Sequence, residues 1–129
     1  MRPTRWRCKF RRELWSDCGF SWGDAVVEHA RQLDPIFIEL GAIRVIEGWG
    51  DDVPVGKLTD FRRAVQATAE ETVAFSWIEW PDKATRDAAM KQIMDDPRMD
   101  PSTPGNPPTP FDGKRMIFGG FEPVVEVKA

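Results

Sequence analysis

Arg86 occupies an unusual place for an arginine, on the apolar side of a helix that the sequence predicts over residues 83–95. At about 100° per residue, it falls within one arc with four apolar residues, Ala89, Met90, Ile93 and Met94. A guanidinium there needs a partner, because a buried unpaired charge is very costly. Its partner is Glu47, Glu79 or an anionic ligand, unless the stem packs while the head reaches water. Arg86 is therefore either a structural residue or a carboxylate or phosphate clamp.

His29 is the single histidine of the chain, and so the one side chain whose unperturbed pKa lies near neutrality. At the margin of a predicted helical stripe, it is either a general base or a packing residue. Glu79 is the second candidate for a base. No set of nucleophile, base and orienting group surrounds Ser76 or the cysteines, so the sequence predicts neither a reaction nor a substrate.

Several further side chains are candidates for ligand binding. Trp49 and Trp77 are suited to lining a pocket for a flat organic molecule, or to core and interface packing. Arg115 follows an Asp-Gly turn and either guides an anion or remains solvated. The candidate ligand-binding set is Arg86, Trp77, Trp49, Glu47 and Arg115.

No metal site and no cofactor are expected. Cys8 and Cys18 are ten residues apart and form no metal or redox motif. A zinc site would need mostly carboxylate ligands, which is atypical of zinc. Asp51 and Asp52 stand beside glycine, where acidic residues form turns or, as the alternative, bind Mg²⁺.

Gly119 and Gly120 raise the question of a phosphate cradle. Such a loop needs a strand, then glycines, then a helix whose N-terminus faces the anion. Here the glycines lie within a sequence typical of a strand, and no helix pattern follows them. They are predicted to mark a bulge, or a close approach of a ligand or another backbone.

The elements that must position these residues follow from periodicity and turn signals. Apolar spacing predicts a first helix over residues 24–41, which ends at Gly41. At Pro35 the helix either kinks or restarts, and Asp34 is then the N-cap of the restarted part. A second helix is capped at Pro81-Asp82. The remaining elements are strands over residues 42–49, 73–80 and 114–127 and an irregular loop over 101–110. Residues 61–67 form a short helix capped by Thr59 or Asp60, or, as the alternative, an edge strand.

Both faces of the predicted sheet are apolar. Along residues 73–80, one parity carries Phe75 and Trp77 and the other carries Ile78 and Trp80. Two helices cover one face of a small antiparallel sheet, and a large exposed apolar face is rare in soluble monomers. The sequence therefore predicts a homodimer with sheet packed against sheet, the alternative being a monomer whose loop over 97–113 crosses that face.

The charge distribution argues against nucleic acid as a partner. The 129 residues carry a net charge of −3, but residues 1–15 hold six basic residues and one acid. The remainder has 12 basic and 20 acidic residues, a net charge of −8, which repels phosphate. No apolar run reaches the roughly 20 residues that a membrane span requires, and the basic start lacks the apolar segment of a secretory signal. We therefore expect a cytoplasmic protein.

The motifs from residue 48 onward resemble those of the YbaA-like proteins, a bacterial family of unknown function. They read GWGDDVP, TDF, ETVAFSWIEWP, DPRM and PFDGKRMIFGGF. The resemblance runs from about Asp24 to the C-terminus. It implies an α+β fold of the ferredoxin-like β-α-β-β-α-β type with an antiparallel sheet, within the dimeric α/β-barrel superfamily.

The first strand departs from the family pattern. Where the family has an aliphatic strand just before the first helix, this chain has RRELWSDCGF. We accordingly divide the chain into residues 1–22, an atypical basic segment rich in Trp, Arg and Cys, and the domain over residues 23–129. Either residues 1–22 derive from a shifted reading frame or misassigned start, or Trp6, Cys8 and Phe10 supply the first strand from further upstream, or that strand is missing.

Three functions remain open. The first is a homodimer that binds a small organic or anionic ligand between sheet and helices. The second is a cofactor-independent oxygenase or an isomerase of the kind that this superfamily contains, and the third is an RNA-associated protein, which the acidic body does not support.

Overall fold

The computed structural model describes the backbone of residues 4–9 and 22–129, and the side chains from residue 24 onward. The described residues form strands β1 (Thr4–Lys9), β2 (Arg44–Trp49), β3 (Ala74–Glu79) and β4 (Phe118–Phe121), and helices α1 (Trp22–Glu39), α2 (Phe61–Ala64) and α3 (Lys83–Asp95). Two single-turn 3-10 helices cover Pro97–Met99 and Gly113–Arg115. None of the helices in this part of the chain is long and apolar enough to span a bilayer.

The four strands form one sheet in the order β2-β3-β1-β4, and every neighbouring pair is antiparallel. The predicted α+β class with a small antiparallel sheet is thus confirmed. β1 lies between β3 and β4, so the described sheet includes a strand from the first ten residues. The predicted place of Phe10 in the first strand lies outside the described residues, and so do the side chains of Trp6 and Cys8.

The core lies between β3 and the two long helices. Ala74, Ser76 and Ile78 alternate along β3 and are buried, as is Trp80 just beyond its end. Ile78 and Trp80 pack in one cluster with residues of α1 and α3, namely Phe37, Ala89 and Ile93. Since side chains alternate along a strand, Phe75, Trp77 and Glu79 point to the opposite face, away from these helices.

α1 runs without interruption through Pro35. The predicted restart there, with Asp34 as N-cap, is wrong. Proline removes one backbone hydrogen bond, but Leu33, Ile36 and Phe37 are buried on either side of it, and packing of an apolar face stabilises a helix more than local propensity does. The helix ends as predicted at Gly41, whose φ of +105° is a left-handed conformation that favours glycine.

Helices α2 and α3 begin where the sequence places their caps. The carboxylate of Asp82 accepts a hydrogen bond from the Thr85 amide at 2.7 Å, and that of Asp60 accepts one from the Arg63 amide at 2.8 Å. The apolar arc of α3 is narrower than predicted, because Met94 is 82% exposed. The last turn of α3 therefore contributes Ile93 alone to the core.

The final strand is shorter than the predicted span of 114–127. Asp112 caps the 3-10 helix Gly113–Arg115 through the Lys114 amide at 3.0 Å, which holds those residues out of the sheet. Beyond β4, Pro123 has no backbone N–H to donate to a ladder. Residues 122–129 follow as a segment without regular structure, in which Val124, Val125 and Val127 are exposed.

The loop before α2 is held from within by two charged side chains. The Arg63 guanidinium donates to the carbonyls of Gly56, Lys57 and Leu58, the last at 3.1 Å. The Asp60 carboxylate accepts from the Gly56 amide at 3.2 Å. This network fixes the loop while it leaves Leu58 96% exposed.

Candidate functional site

A cavity of about 620 Å³ lies on the sheet face opposite to α1 and α3. Trp77 and Glu79 of β3, Arg44 of β2 and Phe121 at the end of β4 line it, together with the segment 122–128 that follows β4. Residues of three strands therefore meet there. Of the residues that the sequence predicted for a site, the cavity brings together Trp77 and Glu79.

Glu79 and Arg44 form an ion pair in this cavity. They are directly opposite each other in the β2–β3 register, and Arg44 Nη2 donates to Glu79 Oε1 at 2.6 Å. Glu79 is buried, whereas the Arg44 side chain is more than half exposed. The hydrogen bond to Glu79 and the charge of that carboxylate raise the pKa of Arg44. The pair places a fixed guanidinium beside an aromatic wall.

Arg86 lies outside this cavity lining, against β4. Its side chain is 14% exposed, and its Nε is 3.2 Å from Oδ1 of Asp87. A Cβ atom built on Gly120 would lie 2.5 Å from Arg86 Nη1, so glycine at this position makes room for the guanidinium. The sequence predicted a bulge, or a close approach of a ligand or another backbone, at this glycine pair; the close neighbour of Gly120 is instead the Arg86 side chain. The two carboxylates expected as partners are engaged elsewhere, Glu79 by Arg44 and Glu47 by the Ser76 hydroxyl.

Arg115 is engaged by protein acceptors on every guanidinium nitrogen. Its Nη2 and Nη1 atoms donate to the two carboxylate oxygens of Glu71, at 2.6 and 3.2 Å respectively. Nη1 also donates to the Gln66 carbonyl, and Nε donates to the Asp112 carboxylate at 3.1 Å. Glu71 is buried, and the hydrogen bond from Arg115 lowers the pKa of its carboxyl to about 2 against the opposing effect of burial. In this structure Arg115 joins the loop before β3 to the 3-10 helix before β4.

The other predicted site residues are separated from the cavity. Trp49 lies at the end of β2 opposite Ala74 and is half exposed. Glu47 is on the helix-facing side of β2, where it accepts the hydrogen bond from Ser76. His29 is buried on α1, with Phe111 edge-on at 5.5 Å between ring centroids. In the described part of the chain, no group of three or more His, Cys, Asp or Glu residues could hold a metal ion.

Sequence reasoning missed Arg44 and the C-terminal segment as parts of a site. The sequence does contain a signal for Arg44: an arginine opens one strand and a glutamate closes the next, so the two charges face each other if these strands pair antiparallel. To use this signal one must know which residues of β2 and β3 face each other, and that depends on where both strands begin.

The fold and the cavity define a small α+β protein with a four-stranded antiparallel sheet and a charged, aromatic site on its helix-free face. Residues 23–113 match the family model described as "Protein of unknown function (DUF1428)", and the chain belongs to this family. The uncharacterized protein YbaA of Escherichia coli (strain K12) is 52% identical over 103 residues, which are 80% of this chain and 86% of that protein. YbaA of Shigella flexneri has the same identity and coverage. The predicted membership of the YbaA-like family is confirmed.

The contact between Arg86 and Gly120 predicts a specific energetic coupling. Gly120→Ala should lower the free energy of unfolding by about 1–2 kcal/mol, because the new methyl group displaces the guanidinium. In an Arg86→Ala background the same substitution should cost much less, and a double-mutant cycle in urea measures the difference. Gly113→Ala is the matched control, since no atom lies within 4 Å of a Cβ at that position. Equal costs in both backgrounds would contradict this contact.

The Glu71–Arg115 ion pair predicts an acid-sensitive contribution to stability. The pKa of Glu71 lies near 2 in the folded protein and near 4.5 without the interaction, so the contribution is complete above about pH 4.5 and is lost as the pH falls toward 2. Its size is about 3 kcal/mol, from the pKa difference. The free energy of unfolding, measured in urea between pH 5 and 2, should depend less on pH in Glu71→Gln than in the wild type. Glu70→Gln, one residue earlier and exposed, should keep the wild-type slope, and identical slopes in all three proteins would refute the assignment.

Proposed function

We propose that this protein is a small-molecule-binding homodimer, with its ligand in the cavity beside Trp77, Glu79 and Arg44. The observation that carries the proposal is the cavity itself, which combines aromatic walls with a few charged groups. Ligand sites in proteins have this composition, with apolar walls for affinity and sparse polar groups for orientation. The proposed ligand position differs from the sequence-based one, since this cavity is on the helix-free face rather than between sheet and helices.

The proposal includes a ferredoxin-like fold of the dimeric α/β-barrel type. The strand order β2-β3-β1-β4, with α1 and α3 packed on one face, supports the β-α-β-β-α-β arrangement that the resemblance implies. Residues 23–129 are the proposed domain, with residues 1–22 as a distinct segment that contributes β1. The cytoplasmic location expected from the sequence is a further part of the proposal.

Exposed apolar side chains on the helix-free face support the dimer. Ile43, Ile46 and Phe121 are each about half exposed, and the valines of the segment 122–128 are more exposed still. A partner sheet would remove this surface from water, at roughly 25 cal/mol per Å² of apolar area. The same partner would close the cavity, because Ile43 and Phe121 are also among its lining residues.

The dimer is tested by a charge placed on that face. Ile46→Glu should convert a particle of twice the 14.7 kDa chain mass into a monomer at micromolar concentration, because the carboxylate would be buried without a partner. Ile38→Glu is the matched control, since Ile38 is 48% exposed on α1 and Ile46 is 45% exposed on β2. Light scattering after gel filtration measures both variants. A wild-type monomer, or a dimer that survives Ile46→Glu, would contradict the interface.

Ligand binding is tested on the purified protein itself. Native mass spectrometry of freshly isolated protein should detect a bound small molecule, and Trp77→Ala should abolish the adduct, because it removes a wall of the cavity. Trp49→Ala, which alters a half-exposed tryptophan outside the cavity lining, should retain it. An adduct that is lost equally from both variants would place the ligand elsewhere.

Catalysis is the second candidate function, and the position of Glu79 in the cavity wall is the observation that favours it. A buried carboxylate at the wall of an aromatic cavity can move a proton to or from a bound ligand, as an oxygenase or isomerase without a cofactor would require. His29 is on the other side of the sheet, so Glu79 is the base in this version of the proposal. Glu79→Gln would then abolish turnover of a ligand that still binds, whereas Glu47→Gln would leave turnover unchanged.

A further inference from the structure

The charges that line the cavity do not cancel. Two cations, Arg44 and Lys128, face three carboxylates, those of Glu79, Glu122 and Glu126. Arg44 is paired with Glu79 at 2.6 Å, and Lys128 Nζ is paired with Glu126 at 2.8 Å. Among the described residues no cation pairs with Glu122. The lining residues that the structure describes therefore carry one surplus negative charge.

The surplus carboxylate stands next to aromatic surface. Glu122 directly follows Phe121, and both line the same cavity as Trp77. Aromatic rings attract a cation placed over their faces, and a carboxylate adds a charge-assisted hydrogen bond to an ammonium group. The ion pair of Lys128 with Glu126 shows that an ammonium group is already held by a carboxylate in this segment.

An anionic ligand would bind less favourably in this cavity than a cationic one. The exposed guanidinium of Arg44 would be its natural partner, but Glu79 already occupies one of its nitrogens, and the charge of Glu126 also acts on it. A second anion at Arg44 would be repelled by both carboxylates. The chain as a whole, with a net charge of −3, adds a weak long-range field that favours cations.

We infer that the ligand of this cavity is an organic cation, an amine attached to a flat apolar group, with its ammonium on Glu122 and its apolar part against Trp77 and Phe121. This inference rests on the proposed small-molecule site and adds the chemical class of the ligand. It deepens the site without requiring catalysis.

Three probes with the same phenyl ring and two-carbon chain test which ligand charge the cavity prefers at pH 7. They are phenethylamine as the cation, phenethyl alcohol as the neutral compound and hydrocinnamate as the anion. Binding is followed through the indole N–H signal of Trp77 in heteronuclear NMR, assigned by its loss in Trp77→Phe. Phenethylamine should bind about tenfold more tightly than hydrocinnamate, with the alcohol between them. Added salt should reduce the difference.

Glu122→Gln should lower the preference for the cation at least about threefold, because the neutral amide keeps the shape but removes the charge. Glu70→Gln is the control, since it removes the same charge from an exposed site outside the cavity lining. A ranking that is flat or reversed would overturn the inference and leave the proposed binding site standing. A preference that survives Glu122→Gln would overturn the role of this carboxylate. If no probe shifts the Trp77 signal at millimolar concentration, the small-molecule site itself falls.

Discussion

The alternation of side chains along β3 is the constraint on which the rest of this structure depends. Ile78 on one side closes the core with α1 and α3, and Trp77 and Glu79 on the other side line the cavity. A slip of one residue in its pairing would exchange the two sets. It would bury Glu79 against the helices and expose Ile78 to water. The same register therefore fixes both the stability of the core and the composition of the candidate site.

Three arginines show how the surroundings of a guanidinium decide its role. Arg115 is surrounded by acceptors, with Glu71 buried beneath it, and acts as a link between segments. Arg86 is mostly buried against a glycine of β4 and bonds to the exposed Asp87. Arg44 is more than half exposed, and a single carboxylate orients it toward the cavity. The sequence alone ranks these residues differently, because it reports charge and spacing without exposure.

The features that the sequence predicted correctly are local ones. The stripe of α1, the caps of α2 and α3 and the end of α1 at Gly41 each depend on residues within a few positions of one another. The errors have two causes. Packing against distant residues carries α1 through Pro35, whereas the last strand is shortened by a local turn that Asp112 caps. For the site, Trp77 and Glu79 were predicted from their chemistry, as an aromatic wall and a candidate base, whereas Arg44 and residues 122–128 join them through tertiary structure.

The network of Arg63 and Asp60 has a consequence for how this chain can change in length. Because one guanidinium spans three consecutive carbonyls, the path from Gly56 to Arg63 has a single geometry that closes. An added or deleted residue there would detach several bonds at once. The side-chain hydrogen bonds of the proline-rich stretch over residues 101–110 are fewer and lie toward its start: Ser102 bonds twice to Asp100, and Asn106 bonds to the carbonyls of Pro97 and Asp100. Insertions and deletions among related chains should therefore accumulate in that stretch and spare the loop before α2.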